Sequence, residues 1–203
     1  MLIISAGMPR SASTWLYNIL RIILENYTSG WFNDIQGKIS GNGDYLIKIH
    51  DYNDWLAKRS SFIFYSYRDV RDAIASIKRK FNIKPDIKEV DHIIQQDQKW
   101  RKTNPHLVRY EDVITNPKKE VSKIIHTLGI QCDVDEVYHK FQQIPTTSSN
   151  SLSYDKITLF HPNHITKGGR GHWEEELDEQ LKKKILELYE YWLVENNYIK
   201  SED

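Results

Sequence analysis

Short runs rich in β-branched and aromatic residues alternate along the chain with segments of helical periodicity. Four runs are predicted to be strands: Leu2–Ala6, Tyr45–Ile49, Phe62–Tyr67 and His106–Tyr110. Each strand is followed by apolar residues spaced three and four apart, which places them on one face of a helix. Such alternation is typical of α/β proteins. The predicted fold class is therefore α/β, with a mostly parallel central sheet flanked by helices.

Apolar spacing predicts four helices with one buried face each. The apolar positions are Leu16, Ile19, Leu20 and Ile23; Val70, Ala73, Ile74 and Ile77; Val121, Ile124, Ile125 and Leu128; and Leu177, Leu181, Ile185, Leu188 and Trp192. Asn116 and Pro117 supply an N-cap and a first-turn proline for the third helix, and Gly129 ends it. Residues 174–176 are glutamates expected in the first turn of the last helix, where the helix dipole favours anions.

Two stretches show neither the helical nor the strand periodicity and are predicted to be loops: Ser29–Asp44 and Ile144–Gly171. Loops of this length inside a compact domain are usually functional. The length of 203 residues fits one domain, so residues 1–203 are expected to form a single domain.

Composition narrows the function classes. The 28 basic residues balance the 28 acidic ones, which argues against a nucleic acid or membrane partner, so an anion site must be built locally. The single Cys132 excludes an internal disulfide framework and a cysteine-based zinc site, and it fits a cytoplasmic protein. The first ten residues do not form a signal peptide, and no apolar run approaches ~20 residues. No pattern predicts an oligomeric state.

The segment between the first strand and first helix runs from Gly7 to Thr14. Backbone N–H groups and the positive helix end converge there, as in phosphate sites. Against the nucleotide-binding pattern G-x-x-x-x-G-K-[ST], Ala12 replaces the second glycine and Ser13 replaces the lysine. An ordinary ATPase or GTPase is therefore disfavoured. The alternative is a plain strand-to-helix turn with Ser11 or Ser13 as a cap.

Basic residues recur at two further strand ends. Lys48 and His50 lie two residues apart, so they share one side of their strand near the carboxyl edge, where ligands bind in α/β sheets. Arg68 precedes a helix that carries Ser76, and such a pair can hold a phosphate. Arg71 is interpreted instead as a surface partner of the neighbouring aspartates, on a solvated face.

A basic, glycine-rich segment, Lys167–Trp173, enters the C-terminal part of the chain. Its backbone N–H groups can approach an anion closely, although a flexible linker has the same composition.

Together these segments resemble the PAPS-dependent sulfotransferase family, which has a three-layer, P-loop-like fold. PAPS is 3'-phosphoadenosine 5'-phosphosulfate, and PAP is its desulfated product. The resemblance implies a 5'-phosphosulfate loop, a lysine-x-histidine catalytic strand, a 3'-phosphate pair, a tyrosine bordering the adenine and a glycine-rich closing loop. The matching residues are, in that order, Pro9, Arg10, Ser11, Ala12, Ser13, Thr14 and Trp15; Lys48 and His50; Arg68 and Ser76; Tyr110; and Lys167 with Gly168.

The resemblance implies transfer of a sulfuryl group from PAPS to a hydroxyl or amine, with no metal. His50 is then the general base, and Lys48 and Arg10 stabilise the phosphosulfate. Trp15 is expected to stack on the adenine, although by itself a Trp at this position is typical of a core. Two residues depart from the family pattern: Arg10 stands in place of lysine, and Thr166 stands in place of the arginine before lysine-glycine, for which Arg170 is a candidate substitute.

Two other functions remain open at this point. A P-loop kinase of a small molecule would recruit Mg²⁺ through Asp51 or Asp69. A non-catalytic module would hold PAPS or PAP as a regulatory ligand. The residues His161, His164 and His172 show no fixed ligand spacing, so they are expected to face solvent and not to bind a metal.

The acceptor is expected to be a small molecule or a carbohydrate. Aromatic residues near the pocket segments suit a phenol, an apolar alcohol or a sugar face; they are Trp31, Phe32, Tyr52, Trp55, Phe81, Tyr154 and Phe160.

Overall fold

The computed structural model describes residues 1–40, 42–146 and 154–200. Its strands are β1 (Leu2–Gly7), β2 (Thr28–Trp31), β3 (Tyr45–Ile49), β4 (Phe62–Tyr67) and β5 (His106–Arg109). In the described residues they form one sheet in the order β2-β3-β1-β4-β5, and every pairing is parallel. All the carboxyl ends therefore meet at one edge of the sheet, the edge where ligands bind in open α/β folds.

Helices cover both faces of this sheet. They are α1 (Ser13–Ile23), α2 (Phe32–Ile35), α3 (Asp54–Arg59), α4 (Val70–Phe81), α5 (Ile87–Arg101), α6 (Tyr110–Thr115), α7 (Pro117–Leu128), α8 (Val134–Gln142), α9 (Trp173–Glu176) and α10 (Glu179–Glu195), with a single 3-10 turn at Gln36–Lys38. None of the helices in these ranges is both long enough and apolar enough to cross a membrane.

Strand alternation divides the interior into two cores. Leu2, Ile4 and Ala6 of β1 face the core that α4, α5 and α10 cover, whereas Ile3 faces the core under α1, α7 and α8. Because successive side chains of a strand point to opposite faces, a strand buried on both faces is a continuous apolar run. The three-layer α/β architecture predicted from the sequence is confirmed.

The predicted helix at residues 117–128 shows the expected ends. The Asn116 side chain accepts a hydrogen bond from the Lys119 N–H, Pro117 is the first helical residue, and Gly129 takes a left-handed φ of 65°. Helices α1 and α4 also cover the spans that the apolar spacing predicts.

The structure differs from the sequence prediction at residues 29–44 and at Tyr110, and it agrees with the loop prediction over residues 144–146 and 154–171. Ser29–Asp44 is not all loop, because β2, α2 and the 3-10 turn lie within it; β2 is an edge strand with one buried residue, so it has no apolar run to reveal it. Tyr110 begins α6 and does not end β5. The loop predicted at 144–171 has no helix or strand at 144–146 or 154–171, and residues 147–153, like residue 41, lie outside the described residues.

The last predicted helix is two helices. Leu177 is extended, and the Asp178 side chain accepts a hydrogen bond from the Leu181 N–H, so α10 begins after the three glutamates and not with them. Leu188 is 54% exposed, whereas Ile185 and Trp192 of the same apolar stripe are buried.

Candidate active site

A cavity of about 670 Å³ opens at the carboxyl edge of the sheet. Its walls are the β1–α1 loop, the carboxyl ends of β2 and β3, Arg68, the second half of α4, α6, the end of α8 and residues of the segment 160–169. Of the site residues predicted from the sequence, the cavity is lined by Pro9, Arg10, Ala12, Ser13, Thr14, Trp15, Lys48, His50, Arg68, Ser76, Tyr110 and Gly168. Two predicted site residues, Ser11 and Lys167, do not line it.

The loop before α1 has an unusual backbone. Arg10 and Ala12 both take left-handed conformations with φ of 64°, which non-glycine residues adopt mainly where the surroundings enforce it. Ser11 supplies part of that support, because its buried hydroxyl lies 2.7 Å from the Met8 carbonyl and 2.8 Å from the Ser66 hydroxyl. Ser11 therefore holds the loop from behind, which is why its side chain is not in the cavity.

The same loop presents unused hydrogen-bond donors. In the described part of the chain, the backbone N–H groups of Ala12, Ser13 and Thr14 donate to no other group, as expected for the first turn of a helix. These donors and the positive end of α1 face a cavity, so this loop is suited to bind an anion.

Arg10 connects the loop to two other walls of the cavity. Its Nε donates to the Ser76 hydroxyl at 2.9 Å, and one terminal nitrogen donates to the His164 carbonyl at 2.8 Å. Burial and the neighbouring Arg68 lower the pKa of Arg10. Within the described ranges no carboxylate pairs with Arg10, so an anionic ligand beside it is favoured.

Lys48 and His50 lie together at the carboxyl end of β3. The Lys48 ammonium contacts the Thr14 hydroxyl and lies 4.7 Å from the centroid of the Trp31 ring. Lys48 is buried, and burial lowers its pKa well below the usual value. An anion beside it would favour the charged form again.

His50 is held in one tautomer. Its Nδ1 lies 2.6 Å from the Gly7 carbonyl, which can only accept, so Nδ1 carries the proton. Burial, with a smaller contribution from Lys48, lowers the pKa of His50 to about 4. At neutral pH its Nε2 is therefore an unprotonated acceptor, the form that a general base requires.

Arg68 lies under the glycine-rich segment. Its terminal nitrogens donate to the Arg10 carbonyl at 3.2 Å and the Gly169 carbonyl at 2.6 Å, and its guanidinium stacks 4.0 Å from the Tyr110 ring centroid. Its buried Nε has no hydrogen-bond partner within the described ranges. A buried donor without a partner is rare in proteins, and it fits a site that a ligand completes.

Asp72 explains how the glycine-rich segment is held. Its two carboxylate oxygens accept hydrogen bonds from the backbone N–H groups of Gly171 at 2.7 Å and Trp173 at 3.2 Å. This pairing places Gly168 and Gly169 over the cavity. The Lys167 side chain does not line the cavity; it is half exposed, and its ammonium lies 3.9 Å from the Glu176 carboxylate. The backbone of the segment covers the site, and the lysine side chain does not.

The interpretation of Arg71 as a solvated surface residue is wrong. Arg71 is 8% exposed, donates to both oxygens of Asp69 and stacks 4.0 Å from the Trp173 ring centroid. It pairs with Asp69, as expected, but the pair lies under α9 and is not on the surface.

The expectation that the histidines of segment 161–172 face solvent is wrong for two of them. His161 and His164 line the cavity with their rings stacked at 5.8 Å. Burial, followed by Arg10, lowers the pKa of His164 to about 3, and burial also lowers the pKa of His161. Both are therefore neutral at pH 7. Among the described residues, no group of three metal-binding side chains occurs.

More than half of the chain matches a known protein family. A sulfotransferase domain model matches residues 78–197. The chain belongs to the sulfotransferase domain family. The matched range includes Tyr110 and Gly168, whereas the β1–α1 loop, Lys48, His50, Arg68 and Ser76 precede it. No curated protein sequence matched the chain.

Several solved structures share this fold. Mouse sulfotransferase SULT7A1 complexed with PAP matches with a TM-score of 0.70 and 15% identity, covering 97% of this chain and 84% of that one. Retinol dehydratase in a complex with retinol and PAP matches with a TM-score of 0.67 and 14% identity, covering 94% and 80%. Its complex with androsterone and inactive cofactor PAP gives 0.65 and 15%, covering 99% and 81%.

Sequence reasoning missed one cation of this sulfotransferase site. Lys80 lines the cavity four residues after Ser76, and its ammonium contacts the carbonyls of Pro162 and Asn163. The signal was available, since residues four apart share one face of a helix. Of the aromatic residues expected near the acceptor, Trp31, Phe81 and Phe160 line this cavity.

Proposed function

We propose that this sulfotransferase takes the sulfuryl group from PAPS and transfers it to a hydroxyl or amine of a small-molecule or carbohydrate acceptor. We also propose that residues 1–203 act as one domain. The observation that carries the proposal is the charge of the cavity. Among the described residues that line it, the charged side chains are Arg10, Lys48, Arg68 and Lys80, and none is a carboxylate, although the whole chain has a formal net charge of zero.

The residues present fit a donor with two separate anionic groups. The β1–α1 loop, with Arg10, Lys48 and Thr14, would hold the 5'-phosphosulfate through free N–H groups and cations. Arg68 and Ser76 would hold the 3'-phosphate, and the partnerless Nε of Arg68 would gain an acceptor. Trp15 and Tyr110 would flank the adenine. Trp15 is 9% exposed and packs edge-on against Phe141. Its ring is therefore part of the hydrophobic core and also lines the cavity.

His50 is the proposed general base. The acceptor oxygen bonds to sulfur as the bond from sulfur to the 5'-phosphate oxygen breaks, and the acceptor proton goes to Nε2 of His50. The bonding electrons leave with the phosphate of PAP, where Lys48 and Arg10 stabilise the negative charge. In-line placement and charge neutralisation are what such group transfers mainly require.

The two alternative functions have less support. Asp51, a candidate magnesium ligand of a kinase, pairs with His92 on the surface, and Asp69 pairs with Arg71. A pure PAP-binding module needs no base, yet His50 is held by the Gly7 carbonyl in the tautomer of a base.

Calorimetric titration with PAP and with ATP tests the proposal. PAP should bind at least about tenfold more tightly, because ATP lacks the 3'-phosphate that Arg68 and Ser76 would hold. Transfer from labelled PAPS should persist in EDTA, since no step is assigned to a metal. Equal affinities for PAP and ATP would show that the 3'-phosphate assignment is wrong.

A further inference from the structure

A second pocket lies at the carboxyl end of β3. It has a volume of about 360 Å³ and is lined by residues 31–33 and 48–53, at the carboxyl ends of β2 and β3. Trp31, Lys48 and His50 line both this pocket, called here the β3 pocket, and the large basic cavity. The two spaces therefore meet at the residues assigned to transfer.

This arrangement offers donor and acceptor separate spaces that share His50. The cations Arg10, Arg68 and Lys80 line the large cavity and not the β3 pocket, so an anionic donor belongs in the large cavity. An acceptor in the β3 pocket would reach His50 from a space that the donor's cations do not line. In-line displacement requires acceptor and leaving oxygen on different sides of the sulfur, which two separate spaces allow.

Aromatic rings form part of the pocket wall. Trp31, Phe32 and Tyr52 are each partly exposed there. The Trp31 ring is fixed by Lys48 on one side and by the His50 ring at 5.2 Å on another. Tyr52 packs edge-on against Trp100 at 5.1 Å. Rigid, half-exposed rings offer flat apolar faces to a ligand.

Polar groups with unused hydrogen-bonding capacity complete the wall. Asn33 is exposed, and within the described ranges its amide has no partner. Asn53 uses its oxygen to cap α3, accepting from the Leu56 N–H at 3.0 Å, which leaves its NH₂ group for a ligand. Asp51 uses one oxygen for His92 at 2.8 Å and keeps the other.

These groups exclude several acceptor classes. An apolar alcohol would desolvate the amides and the carboxylate without replacing their hydrogen bonds. A simple phenol offers only one hydroxyl, which His50 takes. A cationic amine would face Lys48, and the one carboxylate is already paired with His92. A saccharide has a flat C–H face for the rings and several hydroxyls for the amides.

We propose that the β3 pocket is the acceptor subsite and that the acceptor is a neutral saccharide. This inference rests on the proposed function. One sugar hydroxyl points at Nε2 of His50, and neighbouring hydroxyls bond to Asn33, Asn53 and Asp51. The sugar oxygen attacks sulfur, its proton passes to His50, and PAP leaves into the large cavity.

The first experiment offers labelled PAPS with the methyl glycosides of glucose, galactose and N-acetylglucosamine, beside a phenol, a long-chain alcohol and a primary amine. We expect label on a saccharide. PAP binding is measured separately by calorimetry. If PAP binds but label appears only on the other classes, or on no saccharide, the subsite assignment is overturned and the proposed function is not. If PAP fails to bind, the proposed function itself fails.

Variants of Asn33 locate the site. Asn33→Ala should raise the KM for the saccharide by about five- to tenfold, the loss of roughly one hydrogen bond, with kcat and PAP affinity unchanged. Asn33→Trp should fill the pocket and block transfer while PAP still binds, which also shows that the variant is folded. Gln36→Ala removes an exposed amide three residues away, outside the pocket, and should change nothing. Parental turnover by Asn33→Trp would overturn the proposal.

Discussion

At the scale of single residues, His50 separates a catalytic role from a structural one. His50→Ala should lower kcat by ~10²- to 10⁴-fold, the usual contribution of a general base. PAP affinity should be nearly unchanged, because the donor's phosphates are assigned to other side chains. Steady-state kinetics and calorimetry measure the two effects. His126→Ala, on the exposed side of α7, is the matched control. Near-parental transfer by folded His50→Ala would show that His50 is not the base.

The lowered pKa of His50 also predicts a pH dependence of stability. The folded pKa is about 4 and the ordinary value is 6.5, so the unfolded chain binds a proton in this interval that the folded protein does not. The free energy of unfolding should therefore fall as the pH drops from 6.5 towards 4. His50→Gln should reduce that slope by up to one proton, measured by urea unfolding at several pH values. An unchanged slope would contradict the buried, neutral imidazole.

Alanine substitutions at Arg68 and Arg71 should have different effects, the first on PAP affinity and the second on stability. Arg68→Ala should weaken PAP binding by ~1.5 to 3 kcal/mol, the range for hydrogen bonds to charged groups. Arg71→Ala leaves the buried Asp69 unpaired, so it should lower the free energy of unfolding by about 3 kcal/mol or more and affect PAP binding of the folded protein less. Calorimetry and urea unfolding on both variants test this. A larger loss of PAP affinity in Arg71→Ala would reverse the assignment.

At the scale of elements, the end of β1 depends on a close approach to β4. A Cβ added at Gly7 would lie 2.0 Å from the Ser66 hydroxyl and 3.0 Å from the Ser66 carbonyl. Gly7→Ala should therefore force the strands apart and lower the free energy of unfolding by about 1 to 3 kcal/mol. A Cβ at Gly37 meets nothing within 4 Å, so Gly37→Ala is the control. Equal stabilities of the two variants would contradict the packing.

Gly7→Ala should also disturb the site, because Gly7 supplies the carbonyl that orients His50. One residue therefore affects both the stability of the sheet and the position of the proposed base. The β1–α1 loop, the end of β3, and Arg68 with Ser76 of α4 each bring functional side chains, and their relative positions depend on strand register.

At the scale of the whole molecule, the anion site depends on where the charged residues lie and not on the net charge of the chain. The chain has no formal net charge, whereas the lining of the large cavity, over the part of the chain that the structure describes, consists of basic and neutral residues. PAP affinity should therefore weaken severalfold between about 0.05 and about 0.5 M salt, because ions screen the attraction. Lys80→Met, which removes one cavity cation, should reduce this salt dependence. Titrations at several salt concentrations measure it, and a salt-independent affinity would contradict an electrostatic site.

The features predicted correctly from the sequence are those that depend on local residue spacing. Apolar periodicity predicted α1, α4 and α7, the Asn116 and Gly129 signals predicted helix ends, and continuous apolar runs predicted the buried strands. The order of basic motifs also predicted that an anion site would form where parallel strands end. These features follow from backbone geometry and the burial of apolar faces, which act over a few residues.

Other features depend on contacts between distant segments, and residue spacing does not predict them. The edge strand β2 is stabilised by its partner β3 and carries little apolar signal of its own. Arg71 is buried because α9 covers it, and His161 and His164 reach the cavity because Arg10 and Lys80 bind the backbone of their segment. The β3 pocket likewise arises where residues 31–33 meet residues 48–53. Burial and pKa depend on such long-range packing, which residue spacing does not encode.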